Sequence, residues 1–230
     1  MLPIVTIVTP VLGDTAAARA LLPQIPVTPE VEIIVVDGGA DPELESVVRA
    51  HGRARLRRTS PGRAHQMNAG AADAAGEWLL FLHADSTLPP EWLPAIAGLG
   101  RDEVGGWFRF ALDDAAWQAR VIERLVAWRV RRLRLPYGDQ GLFVRRRLFQ
   151  SLGGFRELPL LEDVEFVRRL VRAGRVVELP LALGTSSRRW RRDGWCRRST
   201  KNLAIVGLYL AGVSPARLAR WYRSTTRRAG

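Results

Sequence analysis

Apolar residues arrive in short runs through the first half of the chain, and each run stops at a polar or turn residue. Residues 4–10 (IVTIVTP) and 31–37 (VEIIVVD) are β-branched stretches of the kind found in strands buried on both faces. Between them, DTAAARALLPQI predicts a helix capped by Asp14 and weakened late by Pro23. GGADPELESVVRAHG predicts a turn, then a helix opened by Pro42 and closed by Gly52. ARLRRTS reads as a third strand, RAHQMNAGAADAAG as a small-residue helix ending at Gly76, and EWLLFLHAD as a fourth strand. Apolar strands alternating with helices predict an α/β fold, with a mostly parallel sheet covered by helices on both faces. Ligands of such sheets bind beyond the carboxyl ends of the strands, where Asp37 and Asp85 both stand.

The second half is less regular. VGGWFRFAL (104–112) predicts a strand and residues 114–133 a long helix; GLFVRR and RLFQSLGGF follow as strand and short helix. EDVEFVRRLVRAG is an amphipathic helix with Val164, Val167, Leu170 and Val171 on one face and Gly174 at its end. The tail carries an apolar run, LAIVGLYLAGV (203–213), between arginines and the aromatics Trp190, Trp195, Trp221 and Tyr222.

Composition narrows the class. At 230 residues, 47% apolar and 25% charged, the chain fits a soluble globular domain with one appendage. No apolar run reaches the roughly 18 residues of a membrane span, and the N-terminus lacks the basic start of a signal peptide. A lone cysteine, Cys196, excludes an internal disulfide and a Cys-rich zinc site, and fits a reducing cytoplasm. The net charge of +12 is localised: residues 1–187 hold 23 basic and 22 acidic side chains, whereas residues 188–230 hold 12 basic side chains against Asp193 alone. The chain therefore divides into a body, 1–187, and a basic, aromatic, helical appendage, 188–230. Arginines interleaved with aromatics suit either nucleic acid or an anionic bilayer, and two helices packed on the body with an arginine-rich outer face would show the same pattern. Because the aromatics flank an apolar stretch, a peripheral membrane contact is the better fit of the two binding roles.

Several polar positions offer chemistry. Asp37, followed by two glycines, is either an Asp-Gly turn or a carboxylate accepting from a nucleobase or ribose. Asp85 is either an Asx turn or a ligand for a hard divalent cation, with His83 on the same side of the extended chain. The letters H-A-D also occur in phosphatases with an aspartyl nucleophile, but their second aspartate would fall at Thr87. Glu162 and Asp163 open the amphipathic helix, where acids stabilise the dipole and where a carboxylate is also kept ionised to serve as general base. Gly138–Asp139–Gln140–Gly141 is a turn or a binding loop, and Arg63 is placed to pair with a phosphate or with a site carboxylate. A catalytic triad is not in evidence, as there is no G-x-S-x-G. A nucleotidyltransferase would want a glycine- and arginine-rich loop after the first strand, and PVLGDTAA supplies neither.

In order and spacing, these segments resemble the family 2 glycosyltransferases, which have the GT-A fold. IVTPVLGD resembles the opening strand and nucleotide-binding turn, which brings in Thr9 and Pro10; VEIIVVDGG resembles the strand whose aspartate contacts the base, implying that role for Asp37 beside Gly38. SPGRAHQMNAGAADAAGEWLLFLHADS resembles the approach to the D-x-D metal motif, with His83 in the first aspartate's place, Ala84 between, and Asp85 as metal ligand. LEDVEFVRRL resembles the E-D segment whose aspartate is the catalytic base, here Asp163 next to Glu162. SSRRWRRDGW is similar to the element that closes over the diphosphate, implying Arg188, Arg189 and Trp190. GDQGLF, with Asp139 and Gln140, and LPLLEDVE resemble a bacterial subgroup labelled selenodomain-associated or arsenosugar-biosynthesis transferases. The resemblance implies an inverting transfer from a nucleoside-diphosphate sugar to a small or lipid-linked acceptor hydroxyl, assisted by Mg²⁺ or Mn²⁺.

Overall fold

The computed structural model describes residues 2–227; residues 228–230, which end the expected appendage, lie outside the described residues. The strands are β1 (Val5–Val11), β2 (Val31–Asp37), β3 (Ala54–Arg58), β4 (Trp78–Phe81), β5 (Ser86–Thr87), β6 (Glu103–Leu112), β7 (Leu142–Arg145) and β8 (Arg175–Thr185). The helices are α1 (Thr15–Leu21), α2 (Pro42–Ala50), α3 (Arg63–Ala72), α4 (Trp92–Ala97), α5 (Trp117–Leu133), α6 (Arg146–Ser151), α7 (Glu162–Ala173), α8 (Arg188–Asp193), α9 (Trp195–Leu210) and α10 (Pro215–Arg227).

All the strands join one sheet in the order β3-β2-β1-β4-β7-β6-β8-β5. The first four neighbours run parallel, as their apolar runs predict. β7 then lies antiparallel between β4 and β6, β6 pairs parallel with β8, and β5 closes the edge antiparallel to β8. The sheet is thus mixed, and the reversal at β7 puts the start of that strand, with the 138–141 segment, at the edge where β1, β2 and β4 end. Successive strand residues face opposite sides. Ile7 and Leu80 pack under α1, α2 and α4, while Val8, Leu79 and Phe81 pack against α3, α6 and α7. The sheet is therefore covered on both faces, which explains why its strands lack polar alternation.

Two local features depart from expectation. Asp14 makes no capping bond to α1, and its carboxylate meets Arg188 instead. Gly106 lets β6 approach β8 closely: a Cβ there would stand 2.0 Å from the Val177 carbonyl oxygen. The last helices are not a free tail. Trp190 of α8 packs with Phe110, Leu112, Ala119 and Ile122, and α9 and α10 cover Leu135, Leu161 and Val164 through Ile205, Val206 and Leu218.

Candidate active site

Four separated stretches converge at the carboxyl edge of β1, β2 and β4. The chain leaves β4 through His83 and Asp85; residues Gly138–Gln140 form a single 3-10 turn before β7; α7 begins with Glu162 and Asp163; α3 begins with Arg63. With the end of β8 and the inner faces of α9 and α10 they enclose a cavity of about 160 Å³, whose polar lining includes Arg63, His83, Asp85, Asp139, Asp163 and Arg189.

Asp163 is held from two sides. Its Oδ2 accepts the Gly138 N–H at 2.6 Å and its Oδ1 accepts the Val164 N–H at 2.8 Å. Arg63 donates to Glu162 and brings Nη2 to 3.8 Å from Asp163 Oδ2, so it serves the site carboxylates, the second of the two roles its sequence position allows. The residue before them, Leu161, has φ +67°, a left-handed conformation that costs an L-residue about 1–2 kcal/mol. Its side chain is buried against Val164 and Ile205, which offsets that strain and directs both acids inward.

Gly138 is the point of closest approach. A Cβ on it would stand 3.0 Å from Asp163 Oδ2 and 3.2 Å from His83 Nε2, so any side chain would push two site residues apart. Burial, reinforced by the Arg63 charge, lowers the His83 pKa to about 4 against the opposing pull of Asp85 and Asp163; the imidazole is neutral at pH 7. Asp139 moves the other way. Burial raises it to about 6, Asp163 and Asp85 add to the rise, and Arg129 and Arg63 oppose it. Burial also raises Glu162, with Asp163 adding and its partner Arg63 opposing.

The donor set suits a hard cation. Asp139 Oδ1 is buried without a hydrogen-bond partner, and Asp85 and Asp163 face the same cavity, so carboxylate oxygens of the kind a divalent ion takes are present there. Among the described residues no three His, Cys, Asp or Glu side chains gather into a protein cage. Mg²⁺ or Mn²⁺ there would take one or two protein oxygens, Asp85 foremost, and complete its shell with phosphate and water. Arg188 now stands where it would meet that charge: Nη2 bonds Asp14 and lies 3.5 Å from Asp85 Oδ2.

Other expected residues have different local duties. Asp37 is 1% exposed, and its oxygens accept the Gly39 and Asp41 N–H groups at 2.7 and 2.9 Å, which shapes the turn after β2. Gly38 donates its N–H to Val11 in that turn. Gln140 is buried: Nε2 donates to the Phe108 carbonyl at 3.1 Å, and Oε1 accepts the Tyr137 N–H. It is a brace for the binding loop, not part of the cavity wall. Ala84 packs in the core, and Thr9, ahead of Pro10 on β1, is buried with its hydroxyl unpartnered. Trp190 borders the cavity, but most of its indole is buried, with Nε1 donating to Ser199 Oγ at 3.2 Å.

The sequence reading did not single out Tyr137, Thr185, Arg198 or Asn202, and took Tyr222 only as a tail aromatic; all five line the cavity. Arg198 was merged into the basic tail, yet it is buried and its Nε lacks a partner. The signal was available: residues 198, 202, 205 and 206 recur at helical spacing and share the inner face of α9.

The fold and this cavity belong to the GT-A class of nucleotide-sugar transferases. The Glycosyl transferase family 2 profile matches residues 16–147, more than half of the chain, and the protein belongs to that family. Among solved structures the chain is similar to the mannosyltransferase PcManGT from Pyrobaculum calidifontis in complex with GDP-Man and Mn²⁺, with TM-score 0.64 and 18% identity over 96% of this chain and 69% of that one. It is also similar to S. aureus TarS (residues 1–349) in complex with UDP-GlcNAc, with TM-score 0.60 and 18% identity over 79% of this chain. This chain spans 58% of that TarS chain's length. Among curated protein sequences none matches significantly.

Proposed function

We propose that this glycosyltransferase moves a sugar from a nucleoside diphosphate to an acceptor hydroxyl with inversion, using Asp163 as the base. One observation carries the reading: Asp163, buried and fixed by two backbone N–H groups, shares a cavity with Asp85 and with the guanidinium groups of Arg63, Arg189 and Arg198. A carboxylate whose oxygen is pre-aimed needs no reorganisation to take the acceptor hydroxyl's proton as the acceptor oxygen attacks the anomeric carbon and the nucleoside diphosphate leaves. A single base with one displacement inverts the centre. Glu162, the adjacent acid, is bound to Arg63 and is not free to act as a second nucleophile.

Asp85 would hold the divalent ion, which when bound offsets charge growing on the departing diphosphate. Arg188 and Arg189 supply further positive charge on the same side, and neutral His83 fixes the wall beside Gly138. That related folds hold GDP-Man with Mn²⁺ and UDP-GlcNAc supports a nucleotide-sugar donor. The GDQGLF and LPLLEDVE segments support placement in the selenodomain-associated subgroup, and residues 1–187 with 188–230 laid over them are the catalytic unit and its cover.

A thermal-shift panel of UDP-, GDP- and dTDP-sugars with and without Mn²⁺, followed by turnover, tests this. Asp163→Asn is expected to keep the donor-induced shift and lose transfer by about 10²–10⁴-fold. Asp85→Ala is expected to lose the Mn²⁺-dependent part of the shift. Transfer at the native rate by Asp163→Asn removes the base assignment.

A further inference from the structure

Helix α5 carries two apolar faces where one is enough to anchor it. Ala119, Ile122 and Val130 are buried toward the domain, the first two against Phe110 and Trp190. At 100° per residue, Trp117, Val121, Leu125 and Trp128 fall on the opposite side. They stand in solvent, Trp117 70%, Leu125 59% and Trp128 60% exposed. Nine of the twelve large hydrophobic residues that the described structure exposes lie on α5, whose last residue is Leu133, on α9 or on α10, so the exposed apolar residues are concentrated on three helices rather than scattered.

We infer that this outer face of α5 is a docking surface for an anionic lipid bilayer. The flank of the stripe is basic: Arg124 and Arg131 are exposed along it, exposed Arg132 continues the stripe past Trp128, and residues 117–134 hold six arginines against Glu123 alone. Tryptophans on an apolar face with arginines at its margin match the interface between acyl chains and headgroups. A second copy of the chain is the poorer occupant, because a two-fold contact through α5 would oppose these arginines to one another. None of the helices in the described residues is long and apolar enough to cross a membrane, so the helix would lie on the surface. The sequence offered residues 188–230 for a membrane contact; this surface centres on α5, with the exposed Leu203 and Leu210 of α9 as a secondary contribution. The inner face of α9, which contacts α5, lines the cavity, so docking would place the cavity's helical wall near the lipid surface.

The test uses the full chain without donor, so it stands apart from sugar transfer. Co-sedimentation with phosphatidylcholine vesicles, with and without phosphatidylglycerol, is measured at low and high salt. Binding is expected to the phosphatidylglycerol vesicles, to weaken at high salt, and to fall about tenfold or more in Trp117→Glu/Trp128→Glu. The donor-induced thermal shift and far-UV circular dichroism of that variant should match the parent, because both tryptophans are exposed. The inference is overturned by a parent chain that does not bind such vesicles, by a double variant that binds them as well as the parent, or by a parent dimer that the variant dissociates without any vesicle binding.

Discussion

At the scale of single residues, the site is a set of opposed charges whose balance sets its response to pH. Asp139 is the clearest case. Its folded pKa of about 6 lies above that of an unfolded aspartate, so between about pH 4 and 6 the folded chain holds the proton that the unfolded chain has released. Stability from this group is present at low pH and is lost as pH rises through 6, by about 3 kcal/mol at most. Asp139→Asn should therefore raise Tm relative to the parent by an amount that grows between pH 4 and pH 7, measured without added metal. A constant difference across that range would mean that the carboxyl is not strained. Gly138→Ala tests geometry instead of charge: the new methyl must displace Asp163 or His83 by a few tenths of an ångström. Transfer is expected to fall by about 10²-fold with little change in Tm, since misplacement near the reacting atoms costs far more in rate than in stability.

Elements show which parts of this arrangement were legible before the structure. β1, β2 and β4 and helices α2 and α7 declared themselves through period and punctuation, and the segments around Asp85, Asp139 and Asp163 were recognisable as strand end, turn and helix start. β8 was not. Its sequence, RVVELPLALGT, contains Pro180, which ordinarily argues against a paired strand. In the sheet, Phe108 pairs with Leu179 and Arg109 with Ala182, so Pro180 and Leu181 occupy a bulge where no ladder N–H is missed. Only tertiary pairing reveals that. Likewise the sequence shows the polarity of Asp37 and Gln140 but not the backbone groups that their side chains bond. The bend before α7 offers an element-scale test. Leu161→Gly would relieve left-handed strain of about 1–2 kcal/mol but give up roughly 1.5–3 kcal/mol of side-chain burial, and glycine also adds freedom to the unfolded chain. Burial wins, so the variant should unfold at lower urea, and its looser α7 start should reduce transfer more than donor binding. A gain in stability would show that the bend, not the packing, dominates.

On the scale of the whole molecule, charge marks residues 188–230 off from the rest, and specific contacts fasten them to it. Arg191 pairs with Asp114, Arg188 with Asp14, and Trp190 with the apolar face between β6 and α5. Burying an indole in that cluster is worth several times what the exposed Arg188–Asp14 pair returns, about 0–1 kcal/mol, while Arg191 holds the buried Asp114 carboxylate through two hydrogen bonds. The appendage is therefore held chiefly by Trp190 and by the Leu135–Leu161–Val164 contact. Two outcomes of cutting the chain after residue 187 separate a cover from a detachable module. As a cover, its removal exposes Leu161 and Val164, opens the cavity along α9, and should both lower Tm and abolish the donor-induced shift. A detachable module would leave the shorter chain with its native melting point and its donor affinity. Trp190→Ala in the full chain separates packing from charge: with every arginine retained, it should cost about 3–5 kcal/mol and weaken donor binding, because α8 would no longer hold Arg188 and Arg189 over the cavity.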